Sequence, residues 1–265
     1  KEVAAEYPDI QFCPATGYQA ADSGLDNFHN YFASIYEGRY LAGIAAGMKT
    51  ESNKLGYVAA FPFAEVISGY TAFYLGAKSV NPDVTMDIMY TNSWNDPTVE
   101  SQVAQALIDR GCDVISQHSD STAPATTAED NGVWQVGYNN DMIEAAPHAS
   151  LISPRIDWGI YVTEAVQDVI DGKEIPVDWC RGLEDGAVYL SPLNTDIAAE
   201  GTQEAIDEAK EKLISGEIHV FDGPLKGVSP DGEEYEVPEG EYYHEQEESS
   251  APSWLYIIDG CNVVE

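Results

Sequence analysis

The fold is decided by the stretch Lys54-Leu55-Gly56-Tyr57-Val58-Ala59-Ala60, an apolar run of strand length. The next segment, Ala64–Val80, is long enough and apolar enough for a helix, and Thr85–Tyr90 is again a short strand. The alternation continues to about residue 175, with strands predicted over 113–116 and 133–137 and helices over 37–49, 98–110, 122–131 and 159–171. Repeated strand–helix units of this length predict an α/β fold with a parallel sheet and helices on both faces.

Local residues support the helix boundaries. Asp96-Pro97 suits the start of a helix, because the Asp carboxylate accepts the first free amide hydrogens and Pro fits the first turn. Gly111, Gly132 and Gly172 follow predicted helices and should end them. The boundaries are therefore predicted independently of the apolar pattern.

The two ends of the chain differ from this middle part. Residues 1–8 suggest the last turns of a helix stopped by Pro8, and 10–13 a short strand. A fold rarely starts on the end of a helix, so we expect residues upstream of Lys1. The last third is predicted to contain a helix over 195–214, a hairpin with strands at 219–221 and 234–237, an acidic loop region over 231–248 and a closing strand over 253–258.

Charge excludes some classes of partner. The 265 residues include 46 Asp or Glu and 12 Lys or Arg, which gives a formal net charge of −34. Such a chain repels phosphate backbones and anionic lipid head groups, so nucleic acid and a membrane surface are poor candidates for the main partner. No apolar run reaches the ~18 residues that a spanning helix requires. Most of the charge is interpreted as solvated surface.

Four cysteines are spread along the chain, at positions 13, 112, 180 and 261. None forms a close pair, so the spacing excludes zinc-ribbon and redox CxxC motifs. Three disulfide connectivities and four unpaired thiols all remain open.

The loops that follow the predicted strands contain the candidate binding residues. Ligands of open parallel sheets bind at the carboxyl ends of the strands. These loops contain aromatic rings, amides, hydroxyls and carboxylates, but Arg155 is their only cation and no glycine-rich phosphate loop occurs. Aromatic faces stack on flat rings, and amides and carboxylates bind ring nitrogens or sugar hydroxyls. The loops favour an uncharged heterocycle, with or without a sugar, over a phosphorylated ligand.

Each candidate also has a structural interpretation. Trp94 could plug the end of the sheet, and Trp158 could be core packing before its helix. Asp141 could cap a turn, and Asp120 could cap the helix over 122–131. His118 beside Asp120 resembles part of a catalytic pair, but no nucleophile motif such as GxSxG accompanies it.

Several stretches together resemble one known family. They are 36–47, 61–66, 77–82, 92–97, 106–115, 117–124, 157–159 and 215–224. In order and content they are similar to the basic membrane protein (Med-like) family, substrate-binding lipoproteins of ABC importers that include many receptors for purine nucleosides or bases. The resemblance extends over nearly the whole chain, and ordered matches of this kind are more specific than any one of them.

The resemblance implies a periplasmic-binding-protein-like fold of type I, in which two α/β lobes close over the ligand by a hinge. It assigns 1–45 to the remainder of the first lobe and 46–160 to the second lobe. It assigns 161–265 to the hinge return, the C-terminal helices and the acidic hairpin region packing back on the first lobe. The family's first strand and helix units lie upstream of Lys1, so part of the first lobe is expected to be missing.

The resemblance also implies a location and partners. It implies an extracytoplasmic, membrane-anchored lipoprotein whose partners are a purine nucleoside or base and an ABC permease. The membrane would be contacted only through an N-terminal lipid anchor outside this chain. No cofactor, metal or catalytic residue is expected.

For the ligand site, the resemblance points to six residues, and the sequence also departs from the family. The candidates are Trp94, Asp120, Asp141, Trp158, Phe61 and Asn92. Many nucleoside receptors of the family have a Lys near Ile156 and a Phe near Gly69, and this chain has neither. Two alternatives remain: a sugar or flavin-like ligand, and a nucleoside-cleaving hydrolase that uses Asp120, Asp141 and His118.

Overall fold

The computed structural model describes residues 1–265 as seven helices and twelve strands. The helices are α1 (Glu2–Glu6), α2 (Ile35–Lys49), α3 (Ala64–Val80), α4 (Pro97–Asp109), α5 (Ala123–Asn131), α6 (Trp158–Asp171) and α7 (Thr202–Ser215). The strands are β1 (Asn30–Ala33), β2 (Lys54–Ala59), β3 (Thr85–Tyr90), β4 (Val114–Gln117), β5 (Trp134–Val136), β6 (Pro154–Ile156), β7 (Asp178–Arg181), β8 (Val188–Leu190), β9 (Leu225–Val228), β10 (Glu234–Val237), β11 (Ile257–Ile258) and β12 (Cys261–Val263).

A five-stranded parallel sheet forms the centre of the larger lobe, in the order β12-β3-β2-β4-β5. Successive residues of β2 face opposite layers. Tyr57 belongs to the large core that α2 and α3 build, whereas Val58 packs with Val103 and Leu107 of α4 in a separate core. The predicted parallel sheet with helices on both faces is therefore confirmed.

Helices α2 and α3 cross at very short range. A Cβ atom on Gly76 would lie 1.9 Å from the carbonyl oxygen of Tyr40, and one on Gly43 would lie 2.0 Å from that of Phe73. No larger residue fits without separating the two backbones. The Gly- and Ala-rich sequence of α2 is thus explained by helix packing, and it positions the start of both helices beside the end of the sheet.

The second region is built around the parallel pair of β1 and β7. Two isolated parallel bridges, Phe12–Phe28 and Ala15–Tyr31, flank β1. The predicted strand over 10–13 is reduced to the first of these bridges. Helix α6 packs beside this pair with Tyr161 and Ala165 buried, and its side chains Val166 and Ile170 are exposed.

The C-terminal residues form a small antiparallel sheet, β10-β9-β11, before β12 joins the main sheet beside β3. The hairpin begins at Leu225, so the strand predicted at 219–221 is wrong. Those residues instead form a turn in which Asp222 accepts a hydrogen bond from the backbone N–H of His219 (2.8 Å). The predicted closing strand is shortened to β11, because the preceding segment turns inward to bury Trp254 completely.

All four cysteines are free thiols, and Cys112 and Cys261 are buried. The Cys112 thiol donates a hydrogen bond to the carbonyl oxygen of Leu55 (3.3 Å). None of the helices combines the length and the apolar character that crossing a bilayer requires.

Candidate functional site

Three aromatic side chains lie together at the carboxyl ends of β2 and β3. The ring centroids of Phe61 and Phe63 are 5.2 Å apart and nearly parallel, and the Trp94 ring lies 5.5 Å from Phe61 and 6.5 Å from Phe63. Phe63 is 53% exposed, and Phe61 and Trp94 are half-buried. We call these three residues the aromatic wall. Such a surface can stack on a flat ring at the end of the sheet.

Hydrogen bonds fix the loop that carries Trp94. Its carbonyl oxygen accepts from the backbone N–H of Asp120 (2.8 Å), which joins the loops after β3 and β4. The fully buried carboxylate of Glu100 accepts from the Asp96 backbone N–H (2.9 Å) and from the Ser121 hydroxyl (2.5 Å). Asn92 begins the loop in the left-handed region at φ 55°, a conformation that Asn tolerates. Trp94 is therefore held by two tied loops.

Two carboxylates accompany the aromatic wall. Asp120 is exposed at the rim, and Glu65, in the first turn of α3, has a side chain that is 22% exposed. Burial raises the pKa of Asp120, and the neighbouring charges of Glu100 and Glu65 add to the rise. Burial also raises the pKa of Glu65, against the opposing effect of the Arg39 charge. This acidic rim suits a ligand that donates hydrogen bonds and disfavours an anionic one.

A buried polar cluster lies beneath the wall. His118 is fully buried, 6.2 Å from the Trp94 ring and 4.7 Å from the Tyr138 ring. The guanidinium of Arg39, which is 1% exposed, lies 3.8 Å above the Tyr138 ring centroid. Burial and the Arg39 charge hold the pKa of His118 well below its usual value, so the imidazole is neutral. Burial raises the pKa of Tyr138 to about 12.

Gly69 provides the space for this cluster. A Cβ atom at Gly69 would lie 3.0 Å from Arg39 Nε and 3.0 Å from ring atoms of His118. A Phe at this position, as the resemblance would have suggested, cannot coexist with the two side chains where they lie. Gly69, where many family members have Phe, therefore leaves room for Arg39 and His118 beneath the aromatic wall.

The structure brings four of the six candidate residues together. Phe61, Asn92, Trp94 and Asp120 all lie on the loops after β2, β3 and β4, and their role as ligand contacts stays a prediction.

Asp141 follows β5, which ends at the same edge of the sheet, and Trp158 begins α6. Asp141 is exposed and accepts a hydrogen bond from the backbone N–H of Ile143 (3.0 Å), as a turn cap does. Trp158 packs against Tyr31 (5.4 Å) and Phe32 (6.0 Å) at the start of α6. These contacts are the ones that the structural interpretation predicts, and the role of both residues as ligand contacts stays a prediction.

The six candidates predicted from sequence do not include Phe63, Glu65 or Arg39. Phe63 and Glu65 carried a signal, because they stand in the segment directly after β2, where ligands of parallel sheets bind. Arg39 carried none, since it lies within α2 and reaches the site only because α2 passes beneath the end of the sheet.

Comparison with known proteins places the chain in a family. Residues 1–222 match the family described as Bmp, ABC transporter substrate-binding protein PnrA-like. A purine-binding protein of Brucella abortus is 38% identical over 236 residues, which are 88% of this chain and 65% of that protein. A putative ABC transporter glucose-binding protein, TsgA13, of Haloferax volcanii is 38% identical over 252 residues, 95% of this chain and 62% of that protein.

The fold has solved counterparts. The crystal structure of an ABC transporter solute-binding protein from Aeropyrum pernix matches with a TM-score of 0.68 and 20% identity, covering 86% of this chain and 73% of that one. This likeness confirms the periplasmic-binding-protein-like fold. The chain spans just under two thirds of the length of the two curated relatives above. It belongs to the family of PnrA-like ABC transporter substrate-binding proteins.

Proposed function

We propose that this chain is the ligand-capturing part of an extracytoplasmic receptor for an ABC importer, and that its ligand is a purine base or nucleoside. The observation that carries the proposal is the aromatic wall with Glu65 and Asp120 at its edge. Stacked rings hold a flat heterocycle, and acidic groups accept hydrogen bonds from its N–H or hydroxyl groups. The similarity to a relative named as purine-binding supports the same ligand class.

Binding of this kind involves no chemical step. The family consists of solute-binding proteins, and His118 is buried and neutral, with the Tyr57 hydroxyl as its hydrogen-bonding neighbour. The alternative hydrolase would need Asp120 and Asp141 to act as a pair, and Asp141 is engaged as a turn cap. Adenosine incubated with the protein should be recovered unchanged; adenine and ribose as products would support the hydrolase.

A sugar is the second candidate ligand, because one relative at 38% identity is named as a putative glucose-binding protein. Aromatic rings and carboxylates also suit the apolar faces and hydroxyls of a sugar. Titration calorimetry with adenine, adenosine, guanosine, inosine and glucose distinguishes a purine ligand from a sugar ligand. Binding of glucose but none of the purines would replace the purine proposal.

A variant of the aromatic wall tests the site itself. Trp94→Leu should weaken purine binding by roughly 5- to 150-fold, because stacking on one aromatic ring contributes about 1–3 kcal/mol. Tyr18→Leu is the control, since Tyr18 is an exposed aromatic residue (72%) that lies outside the site. Equal affinities of Trp94→Leu and the unchanged protein would place the ligand elsewhere.

For the whole protein we propose an ABC permease as the partner and an N-terminal lipid anchor as the attachment to the membrane. Family membership supports both. In cells, an anchored protein should be released from the membrane fraction by detergent and not by salt. Release by salt alone would contradict the lipid anchor.

A further inference from the structure

Four side chains form a row that runs from the middle of the protein to the aromatic wall. The Arg39 Nη1 group donates to the Tyr57 hydroxyl oxygen (2.6 Å), and that oxygen lies 3.4 Å from His118 Nδ1. His118 Nε2 in turn lies 3.7 Å from Glu65 Oε1. Arg39, Tyr57 and His118 are completely or almost completely buried.

The direction of these contacts follows from which groups can donate. A guanidinium only donates, so the Tyr57 oxygen is the acceptor toward Arg39 and its own proton is free for His118. His118 Nδ1 then accepts, and a neutral imidazole whose Nδ1 accepts carries its proton on Nε2. That Nε2–H has no hydrogen-bond partner and is on the side of Glu65. The row is thus oriented, with the Tyr57 proton directed toward His118 and the His118 Nε2–H on the side of the carboxylate.

The groups around Glu65 act in opposite senses. Arg39 is the cation that influences it, and its Nε and Nη2 groups are without hydrogen-bond partners. Asp120 is the carboxylate at the rim beside it. The positive guanidinium and the His118 N–H favour the ionised form of Glu65, whereas burial, the larger effect on its pKa, favours the protonated form. In either form the carboxyl group presents an acceptor oxygen toward the site.

We propose that the row Arg39–Tyr57–His118 orients Glu65 as the hydrogen-bond acceptor of the site, and that Glu65 selects ligands with an N–H donor, such as an amino group, on the edge of the ring. This assignment rests on the proposed purine-binding function. Glu65 is the specificity-determining residue, and Tyr57 and His118 are positioning residues. A ring with a hydrogen atom in place of the amino group would give the carboxylate no donor from the ligand, and sites built to bind such a donor discriminate strongly against its absence.

The specificity test compares adenine with unsubstituted purine, which lacks only the exocyclic amino group. At neutral or mildly alkaline pH, adenine should bind at least ~10-fold more tightly. Glu65→Gln should reduce this ratio to less than ~3-fold, because Gln presents one donor and one acceptor. Glu204→Gln is the matched control, since Glu204 occupies the first turn of α7 as Glu65 occupies that of α3.

The positioning test reads the tautomer of His118 directly by ¹⁵N NMR. The unchanged protein should show His118 protonated on Nε2, and Tyr57→Phe should lose that preference together with part of the selectivity for adenine. Tyr189→Phe, a tyrosine on β8, should change neither. The His118 tautomer is measured in the protein without any substitution, so the result does not depend on whether Tyr57→Phe folds.

The outcomes separate the two proposals. Absence of binding of adenine, adenosine, guanosine and inosine alike overturns the proposed purine function. Equal affinities for adenine and purine, or a ratio that Glu65→Gln leaves unchanged, overturns the role of Glu65 alone. His118 protonated on Nδ1 in the unchanged protein overturns the oriented row.

Discussion

Helices α3 and α6 show how differently the two regions of this chain complete their cores. Both have amphipathic or apolar sequences of similar length, 17 and 14 residues. Helix α3 buries eleven of its residues between α2 and the five-stranded sheet, whereas α6 buries only Tyr161 and Ala165. The exposed side of α6 carries the apolar side chains Val162, Val166, Val169 and Ile170.

The difference shows that an apolar pattern predicts a helix but not how much free energy the helix contributes. Stabilisation depends on the area removed from water, and α6 has β1, β7 and the bridged segments as neighbours where α3 has a full sheet. The five-stranded sheet and the helices packed on it should therefore contribute most of the free energy of unfolding of this chain.

A matched pair of substitutions would show the largest effect. Ile88→Ala, in the fully buried part of β3, should lower the free energy of unfolding by about 2–5 kcal/mol. Ile170→Ala, at a side chain that is 72% exposed on α6, should change it by less than about 0.5 kcal/mol. Urea denaturation of both variants is the measurement. Similar losses would mean that α6 is covered in solution and would break the comparison.

Glu37 connects the two regions, and its titration should have an intermediate effect. Its carboxylate, in the first turn of α2, accepts from the backbone N–H of Leu183 beyond β7 (2.8 Å). Burial raises its pKa to about 7, against the lowering effect of that hydrogen bond. Between the ordinary pKa of Glu and about 7, the folded state holds more protons than the unfolded state, so stability should fall as pH rises.

Glu37→Gln should remove that fall, because the amide oxygen still accepts from Leu183 and does not ionise. At about pH 8 the variant should be more stable than the unchanged protein by about 1–3 kcal/mol, and at about pH 4 the two should be similar. Denaturant titrations at both pH values measure the difference. Glu204→Gln, at an exposed first-turn position, is the control. A gap that does not change with pH would exclude this role of Glu37.

Salt should have the smallest effect and should act on both regions alike. A net charge of −34 destabilises the folded state through repulsion among its acidic side chains. Salt weakens this repulsion, because the Debye length falls from about 10 Å at 0.1 M salt to about 3 Å at 1 M. Raising KCl over that range should increase the free energy of unfolding by about 1 kcal/mol and raise Tm by about 2–4 °C. Hydrogen exchange should slow in α3 as well as α6. Protection confined to α6 would indicate burial of its apolar face instead of screening.

Much of the main lobe could be predicted from sequence. The predicted bounds of α3 and β3 agree with the structure residue for residue, and Asp96 caps α4 by accepting from the N–H groups of Thr98 and Val99. These elements have long or sharply bounded patterns, and both faces of the sheet are buried. The remainder was harder: β1 and β7 were not predicted, since they are short strands that pair across about 150 residues of sequence.

The candidate site divides in the same way. The sequence determined which loops follow the strands, and because parallel strands end at one edge of a sheet, it brought Phe61, Trp94 and Asp120 together. It also determined the family and the strongly acidic surface. Only the tertiary structure decided that Arg39, Tyr57 and His118 form a buried row behind Glu65, and that Trp158 packs in the other region. The positions of the loops follow from local patterns along the chain. The buried contacts depend on how closely α2 and α3 pack against each other and against the sheet, which local patterns do not specify.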